Sequence, residues 1–258
     1  MNIFTAPFVN AIFGFYYLVG NLGWSVVIVT VLIRILLYPL LLPSLKSARK
    51  TRELQPKLKK LQEKYKGQKE ALAKAQMDLY KQEGVNPLSG CLPQILQIAV
   101  LLLFFSAFNM VTKFASGEGD LTSINSQLIS SFRVAQDFQF KTSFMGNALE
   151  LTPAKEFAVG FGTNMILPVI LLIGSALLQF FSSKLMMPAV KTDENIVKKT
   201  KDKEDDMMST MRTQSMYMMP AMTLFIGWNF SLGILLYWFV NSGVMLVQQI
   251  LVEKFNKE

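Results

Sequence analysis

Long apolar runs dominate the pattern of hydrophobic and polar positions along this chain of 258 residues. The hydrocarbon core of a bilayer is about 30 Å thick and takes about 20 helical residues to cross. Five stretches are apolar enough to do so, and they cover residues 24–43, 91–111, 165–187, 214–230 and 232–252. The fourth is short and rich in methionine. The pattern predicts an all-α, polytopic membrane protein with five transmembrane helices.

Between the first two spans, residues 44–90 alternate polar and apolar positions with a helical period. Apolar side chains recur at steps of three and four residues in two groups, which lie on either side of Gly67: Leu54, Leu58, Leu61 and Tyr65, then Leu72, Ala75 and Leu79. This spacing places each group on one face of a helix. It predicts two amphipathic helices folded as a hairpin that closes at 66–68.

Charge is distributed unevenly among the connecting segments. Residues 44–90 hold twelve Lys/Arg against five Asp/Glu, a net of +7 out of +8 for the whole chain. Residues 113–164 hold four basic and five acidic residues, and residues 188–213 hold six of each. Since loops rich in Lys and Arg stay in the cytoplasm, we expect 44–90 and 188–213 to be cytoplasmic and 113–164 extracytoplasmic. The N-terminus is then outside and the C-terminus inside, in a multi-pass protein of the cell inner or plasma membrane.

The chain begins with a stretch that has no charged side chain. Large apolar residues within 1–22 suit a helix that lies at the membrane interface. We therefore divide the chain into an N-terminal interfacial segment (1–22), a membrane core (23–252) and a short C-terminal tail (253–258).

A single charge interrupts the first span. Arg34 lies near the middle of 24–43, where it costs roughly 2.5–3.5 kcal/mol on insertion scales, and its guanidinium does not lose its proton. Such a residue usually faces a water-filled cavity or a partner inside the bundle. The alternative is a side chain that reaches back to an interface, which lies about ten residues away in either direction. Thr30, four residues earlier, shares the face of Arg34, and the five spans contain no Asp or Glu.

Composition narrows the chemistry that the chain can perform. It has no histidine and one cysteine, Cys91, so neither a His-based nucleophile arrangement nor a disulfide within the chain is available. The spans contain no pair of carboxylates, and the chain has no Gly-x-Ser-x-Gly motif. We expect no enzymatic activity, no cofactor and no metal. The basic hairpin lacks interleaved aromatic residues, so we expect it to contact anionic lipid headgroups and not to bind nucleic acid sequence-specifically.

Four stretches, in this order, carry a more specific signal: GWSVVIVTVLIRILLYPL at 23–40, LQPK at 54–57, LYKQEGVNPLSGCLPQILQ at 79–97, and LYWFVN at 236–241 with a following Gln-Gln pair at 248–249. They resemble motifs of the YidC/Oxa/Alb membrane-protein insertase family. The resemblance covers nearly the whole chain, from about residue 20 to residue 252, and agrees with the five-span topology.

The resemblance implies a five-helix core around a hydrophilic groove that is open to the cytoplasm and to lipid but closed on the outer side. It implies that the chain takes nascent membrane proteins into this groove and releases their transmembrane segments to lipid, with the ribosome and a Sec-type translocon as further candidate partners. Arg34 matches the groove arginine of the family. The predicted groove residues are Arg34, Thr30, Gln97, Tyr237, Trp238 and Asn241.

The residues themselves leave alternatives open. Tyr237 and Trp238 also suit an ordinary aromatic belt at the interface, and Gln97 and Asn241 also suit hydrogen bonding between helices. A transporter or channel that uses Arg34 as an anion site is the alternative function. Against it, the chain has no internal repeats and no pair of broken helices.

Overall fold

Helices make up most of the computed structural model, which describes residues 3–65, 67–85, 92–135, 137–160, 162–186 and 214–255. The α-helices, in chain order, are α1 (Ala6–Val19), α2 (Leu22–Glu53), α3 (Gln55–Lys64), α4 (Lys69–Gln82), α5 (Leu92–Ala115), α6 (Leu121–Gln127), α7 (Pro153–Val159), α8 (Ile166–Met186), α9 (Met219–Gly227) and α10 (Leu232–Phe255). Strands β1 (Ser143–Phe144) and β2 (Asn147–Ala148) form an antiparallel pair. Two 3-10 turns (Ser130–Phe132 and Thr163–Met165) and a π-helical turn (Gln214–Met218) complete the elements.

Four helices of the described chain are long and apolar enough to cross a membrane: α2, α5, α8 and α10. They confirm the prediction of an all-α, polytopic membrane protein. The apolar part of α2 matches the predicted first span, but the helix continues for ten residues beyond residue 43, because the following polar residues favour a helix as well. The predicted cytoplasmic loop 188–213 and Cys91 lie outside the described residues.

Within the described residues, the predicted fourth span, 214–230, is less regular than the other four. It consists of the π-helical turn and α9, and the nine residues of α9 cover only about 14 Å at about 1.5 Å per residue. Pro220 lies in the first turn of α9, where a missing N–H is tolerated. These turns pack along α8.

Helix α10 lies at the centre of the bundle. It packs along both α8 and α2, whereas α5 makes few contacts with α2 and α10. Glycine permits the close crossing of α10 over α5, because a Cβ at Gly233 would lie only 1.9 Å from the ring of Phe108. Helix α5 thus crosses α10 closely at Gly233 but contacts α2 and α10 at few other places.

The end of the bundle opposite the α3–α4 hairpin is covered by a cap, which we define as α1 and the described residues between α5 and α8. Its centre is a cluster of aromatic side chains in which Phe140 contacts Phe13, Tyr16 and Phe138 with ring centroids 4.7–5.0 Å apart. Edge-on packing of this kind adds to the stabilisation from burial. The cap is therefore a packed structure with its own apolar core.

Backbone hydrogen bonds join the cap to the membrane helices. The carbonyls of Leu151 and Leu149 accept from the amides of Leu232 (2.7 Å) and Gly233 (2.9 Å) at the start of α10. The first amides of a helix have no partner within that helix, so the cap supplies the acceptors that they lack. It thereby fixes the position at which α10 enters the bundle.

Polar side chains hold α1 within the cap. Asn10 donates to the carbonyl of Gln127 (2.7 Å) and accepts from the amide of Ile129 (2.8 Å), and the hydroxyl of Tyr16 accepts from the amide of Lys141 (2.7 Å). The sequence predicts an interfacial location for residues 1–22, and that location stays a prediction. The packing of α1 against α2 and against the rest of the cap was not predicted.

Helices α3 and α4 pack against each other through a small apolar core of Leu54, Leu58, Tyr80 and Val85. Gly67 lies in the turn between them with a φ of 80°, a conformation that glycine adopts without strain. Burial raises the pKa of the Tyr80 phenol above its ordinary value, so this residue stays neutral within the small core. Most other residues of the two helices are partly or fully exposed.

Two arginines near the end of α2 anchor the base of this hairpin to the bundle. Arg52 bonds the carboxylate of Glu253 and the carbonyl of Leu185, both at 2.5 Å. Arg49 donates to the carbonyls of Val252 (3.4 Å) and Glu253 (3.3 Å). Because the last carbonyls of a helix carry partial negative charge, these cations stabilise the ends of α8 and α10.

Candidate functional site

The site is built around Arg34, whose side chain points into the bundle and is only 6% exposed. Its Nε donates to Oδ1 of Asn241 and its Nη2 donates to Oε1 of Gln97, both at 2.5 Å. One guanidinium therefore joins three helices: α2, α5 and α10. Arg34 reaches partners within the bundle and does not extend to an interface.

Helix α10 contributes two side chains to the site, because residues four apart lie on one face. Asn241 accepts from Arg34, and Tyr237, one turn earlier, is 1% exposed. The Tyr237 ring stacks on Phe104 with centroids 4.3 Å apart and planes 15° apart. Its hydroxyl accepts a long hydrogen bond from Nε2 of Gln97 (3.4 Å). Tyr237 is thus buried, unlike a residue of an exposed interfacial belt.

Thr30 lies one turn before Arg34 on α2 and is also buried. Its hydroxyl donates to the carbonyl of Val26 at 2.6 Å, which satisfies its proton within its own helix. Thr30 lines the cavity around Arg34, and its hydroxyl oxygen keeps the capacity to accept a hydrogen bond.

These side chains surround a cavity of about 10 Å³, which has room for about one water molecule. Its lining is half polar and half apolar: Thr30, Arg34, Gln97, Tyr237 and Asn241, with Ile33, Leu37, Leu41, Leu96 and Val100. Five of the six predicted groove residues thus meet at one place. The space around the guanidinium is narrow in this structure, so a larger ligand needs the helices to separate.

The electrostatics of the site are unusual because the cation has no anionic partner among the residues that the structure describes. Every salt bridge in the described chain lies outside the cavity, and the lining contains no carboxylate. The hydrogen bonds to Gln97 and Asn241 use two of the five N–H donors of Arg34. Amide oxygens stabilise a guanidinium only as dipoles, so the site retains a positive charge and has donors to offer an anion.

Trp238 is the predicted groove residue that does not line the cavity. It follows Tyr237 directly, and successive helical residues point about 100° apart, so the two side chains cannot share a face. The Trp238 ring lies beside Phe230, with centroids 6.0 Å apart, and is partly exposed. A contact between Trp238 and a substrate helix stays a prediction.

Gln248 belongs to the site but was not predicted. It is 7% exposed, and its Nε2 donates to the backbone carbonyl of Arg34 at 3.0 Å. This bond joins α10 to the backbone of α2 in the turn before Pro39. The signal that could have identified Gln248 is its spacing of seven residues, or two turns, from Asn241.

Known proteins with similar sequences point to one family of membrane proteins. The family model for the 60Kd inner membrane protein matches residues 14–258. Two similar curated proteins, both named Membrane protein insertase YidC, come from Streptomyces avermitilis (31% identical over 236 residues, covering 91% of this chain and 51% of that protein) and Campylobacter jejuni (30% over 247 residues, covering 93% and 36%).

A third protein of that name, from Helicobacter pylori, is 46% identical over 103 residues, which are 40% of this chain and 19% of that protein. The chain spans about half, or less, of the length of these curated relatives.

Proposed function

The chain belongs to the 60Kd inner membrane protein family, and on that basis we propose that it is a membrane protein insertase. It takes nascent membrane proteins into the site around Arg34 and releases their transmembrane segments to lipid. The observation that carries this proposal is a buried cation in the apolar part of α2 whose partners are two amide oxygens. The family of insertases is not known for catalysis, and we assign the site to binding.

The energetic problem for an insertase is the polar tail of its substrate. Each unpaired polar group costs several kcal/mol in hydrocarbon, and an acidic side chain at the centre of a spanning helix costs roughly 2.5–3.5 kcal/mol. Arg34 offers an acidic tail a cation and free N–H donors partway across the membrane. Thr30, Gln97, Tyr237 and Asn241 add polar groups that shorten the apolar path. The substrate helix then enters lipid as its apolar surface is buried there, at about 25 cal/mol per Å².

Helix α5 is the wall that we expect to move. The cavity is too small for a peptide, and α5 contacts α2 and α10 sparsely. Outward movement of α5 breaks the bond between Gln97 and Arg34 and leaves the bond to Asn241 intact, since Asn241 is on α10. The cation is thereby exposed on the side that faces lipid. The cap supports closure of the opposite end, because its carbonyls bond the first amides of α10.

Reconstitution tests the proposal against its alternative, an anion transporter or channel. Proteoliposomes that contain the purified protein are expected to protect a single-span substrate from protease and to release no trapped chloride. Chloride flux in the absence of nascent chain, without substrate protection, would favour the transporter.

Topology provides a second test. We expect the N-terminus outside and the C-terminus inside, because residues 44–90 carry a net charge of +7. Single cysteines introduced into a Cys91→Ser background at position 60 or position 200 should resist a membrane-impermeant thiol reagent in intact cells. A cysteine at position 118, in the cap, serves as the control that should react. Labelling at position 60 would show that residues 44–90 lie outside the cell, which is the opposite of the expected topology.

The partners that we propose are nascent membrane proteins and the lipid surface; the ribosome and a Sec-type translocon are further candidates from the family resemblance.

For the lipid surface, four hairpin lysines should matter: Lys57, Lys59, Lys60 and Lys64. Replacing all four with glutamine should weaken binding to anionic liposomes, because each basic residue near such a surface is worth about 1 kcal/mol. Sedimentation with vesicles in low salt measures the effect, and neutral vesicles provide the baseline. Unchanged binding to anionic liposomes would show that the four lysines do not contact the lipid surface.

A further inference from the structure

A second recess lies away from Arg34, where α5 meets the cap. Its volume is about 490 Å³, within the range of about 300–1,000 Å³ typical of small-molecule sites. Phe105, Met110 and Phe114 supply its apolar wall. Its polar side consists mainly of Asn109, Lys113, Glu118, Asp120 and Ser123.

The mouth of this recess carries charges of both signs. Lys113, Glu118 and Asp120 are exposed, and none of them forms a salt bridge with another residue that the structure describes. One oxygen of Asp120 accepts from the amide of Ser123 (2.8 Å), which leaves its other oxygen available. A cation and two carboxylates at one opening suit a ligand that also carries both signs.

An exposed apolar track leads to the recess along α5. It consists of Ile95 (61% exposed), Ile98 (49%), Leu102 (62%) and Phe105 (38%). Their spacing of three, four and three residues places them on one face of the helix, and ten residues extend about 15 Å. Because α5 is long and apolar enough to span a membrane, this face meets acyl chains. The polar mouth begins where the apolar track ends.

We propose that the recess binds one zwitterionic phospholipid with a primary ammonium in its headgroup, as in phosphatidylethanolamine. Lys113 pairs with the phosphate, and Glu118 and Asp120 accept hydrogen bonds from the ammonium. One acyl chain lies along the track from Phe105 towards Ile95. The net charge of −1 at the mouth disfavours an anionic headgroup, and a choline headgroup lacks the N–H donors that the carboxylates would accept.

Native mass spectrometry of the delipidated full chain tests this site. The protein is titrated with phosphatidylethanolamine, phosphatidylcholine and phosphatidylglycerol of identical acyl chains. Wild type is expected to prefer phosphatidylethanolamine. Glu118→Gln should weaken that binding about threefold to fivefold, as expected for loss of one exposed charge pair. It should not weaken the binding of phosphatidylglycerol, because it removes a negative charge that disfavours an anionic headgroup. Lys113→Gln should weaken binding of all three lipids, because each has a phosphate.

Two exposed residues of the cap outside the recess provide matched controls: Glu150→Gln and Lys155→Gln should behave as wild type. Equal binding of the three lipids by wild type would overturn the proposal, as would Glu118→Gln with unchanged selectivity. A protein occupant is the competing outcome. If a photoreactive residue at position 105 attaches to a stalled nascent chain and not to lipid, the recess is a protein-binding surface and the proposal is wrong.

Discussion

Arg34→Ala should insert a single-span substrate with an acidic tail at least about tenfold more slowly than wild type, while a substrate with a neutralised tail should insert at a nearly unchanged rate. A tenfold change corresponds to about 1.4 kcal/mol of barrier. This is less than the roughly 2.5–3.5 kcal/mol that an acidic residue costs at mid-membrane, so partial relief by one cation suffices. Arg34→Met, which keeps more of the side-chain volume without the charge, should behave like the alanine variant.

Loss of the fold is not expected to explain this result. Removing Arg34 breaks two hydrogen bonds between helices, and such bonds average about 0.6 kcal/mol in membranes, with a maximum of about 1.7. The same change relieves roughly 2.5–3.5 kcal/mol of insertion cost, which at least offsets the loss of the two bonds. Thermal unfolding in detergent should therefore be close to that of wild type. Ser182→Ala, which breaks a hydrogen bond to Gln249 outside the cavity, is the control for a purely structural bond and should leave insertion unchanged.

Arg34→Lys tests whether the function of Arg34 depends on its positive charge or on the planar shape of its guanidinium. Lysine keeps the charge but cannot donate from two positions of a planar fork, so it cannot join Gln97 and Asn241 in the same way. If the charge draws in the tail, the lysine variant retains most of the insertion activity with slightly lower thermal stability. If bridging the three helices is the function, it loses activity to the same extent as the alanine variant.

Gly233→Ala should strongly destabilise the bundle. The added Cβ would lie 1.9, 2.4 and 2.7 Å from three atoms of the Phe108 ring, and Phe108 is fully buried and has little room to move. Overpacking of this kind costs about 1–3 kcal/mol, which exceeds the gain of at most about 1 kcal/mol from replacing glycine in a helix. The start of α10 would also be pushed away from the cap, whose Leu149 carbonyl bonds the Gly233 amide.

Thermal unfolding in detergent measures this effect, with Gly243→Ala as the matched control in the same helix. A Cβ at Gly243 has Leu178 at 3.8 Å as its nearest neighbour, an ordinary contact, so this variant should be as stable as wild type or slightly more stable. Equal midpoint temperatures of unfolding for Gly233→Ala and Gly243→Ala would show that α10 and α5 do not cross as closely as described.

The family resemblance places polar side chains near the buried charge, and their role as a groove for substrate stays a prediction. A buried charge in an apolar span needs polar partners, and Gln97 and Asn241, two of the residues that the resemblance implies for the groove, accept hydrogen bonds from Arg34. Trp238 shows what a sequence motif cannot predict. Tyr237 and Trp238 belong to the same motif, but adjacent residues of a helix point about 100° apart, so only one of them lines the cavity. Gln248 belongs to a motif of the family but was not among the predicted groove residues, because its partner is the backbone carbonyl of Arg34 and not a side chain.

The cap could not be predicted for a different reason. Residues 113–164 have no apolar periodicity, and the aromatic residues of α1 gave no indication of which surface would cover them. Their packing depends on contacts between segments far apart in the chain, such as that of Phe13 with Phe140. The predicted fourth span is helical from 214 to 227 but begins with a π-helical turn, because an apolar composition specifies burial in lipid or protein and does not specify a regular α-helix.

Photocrosslinking tests the central claim, that an acidic tail enters the cavity beside Arg34. A photoreactive residue is placed at Ile33, which lines the cavity, or at Leu36, which is 78% exposed on the same helix, and a single-span substrate is stalled during synthesis. The account predicts crosslinks from position 33 to the acidic tail, fewer when the tail is neutralised, and none from position 36 to the tail. Equal crosslinking of the tail from both positions, or none from position 33, would contradict it.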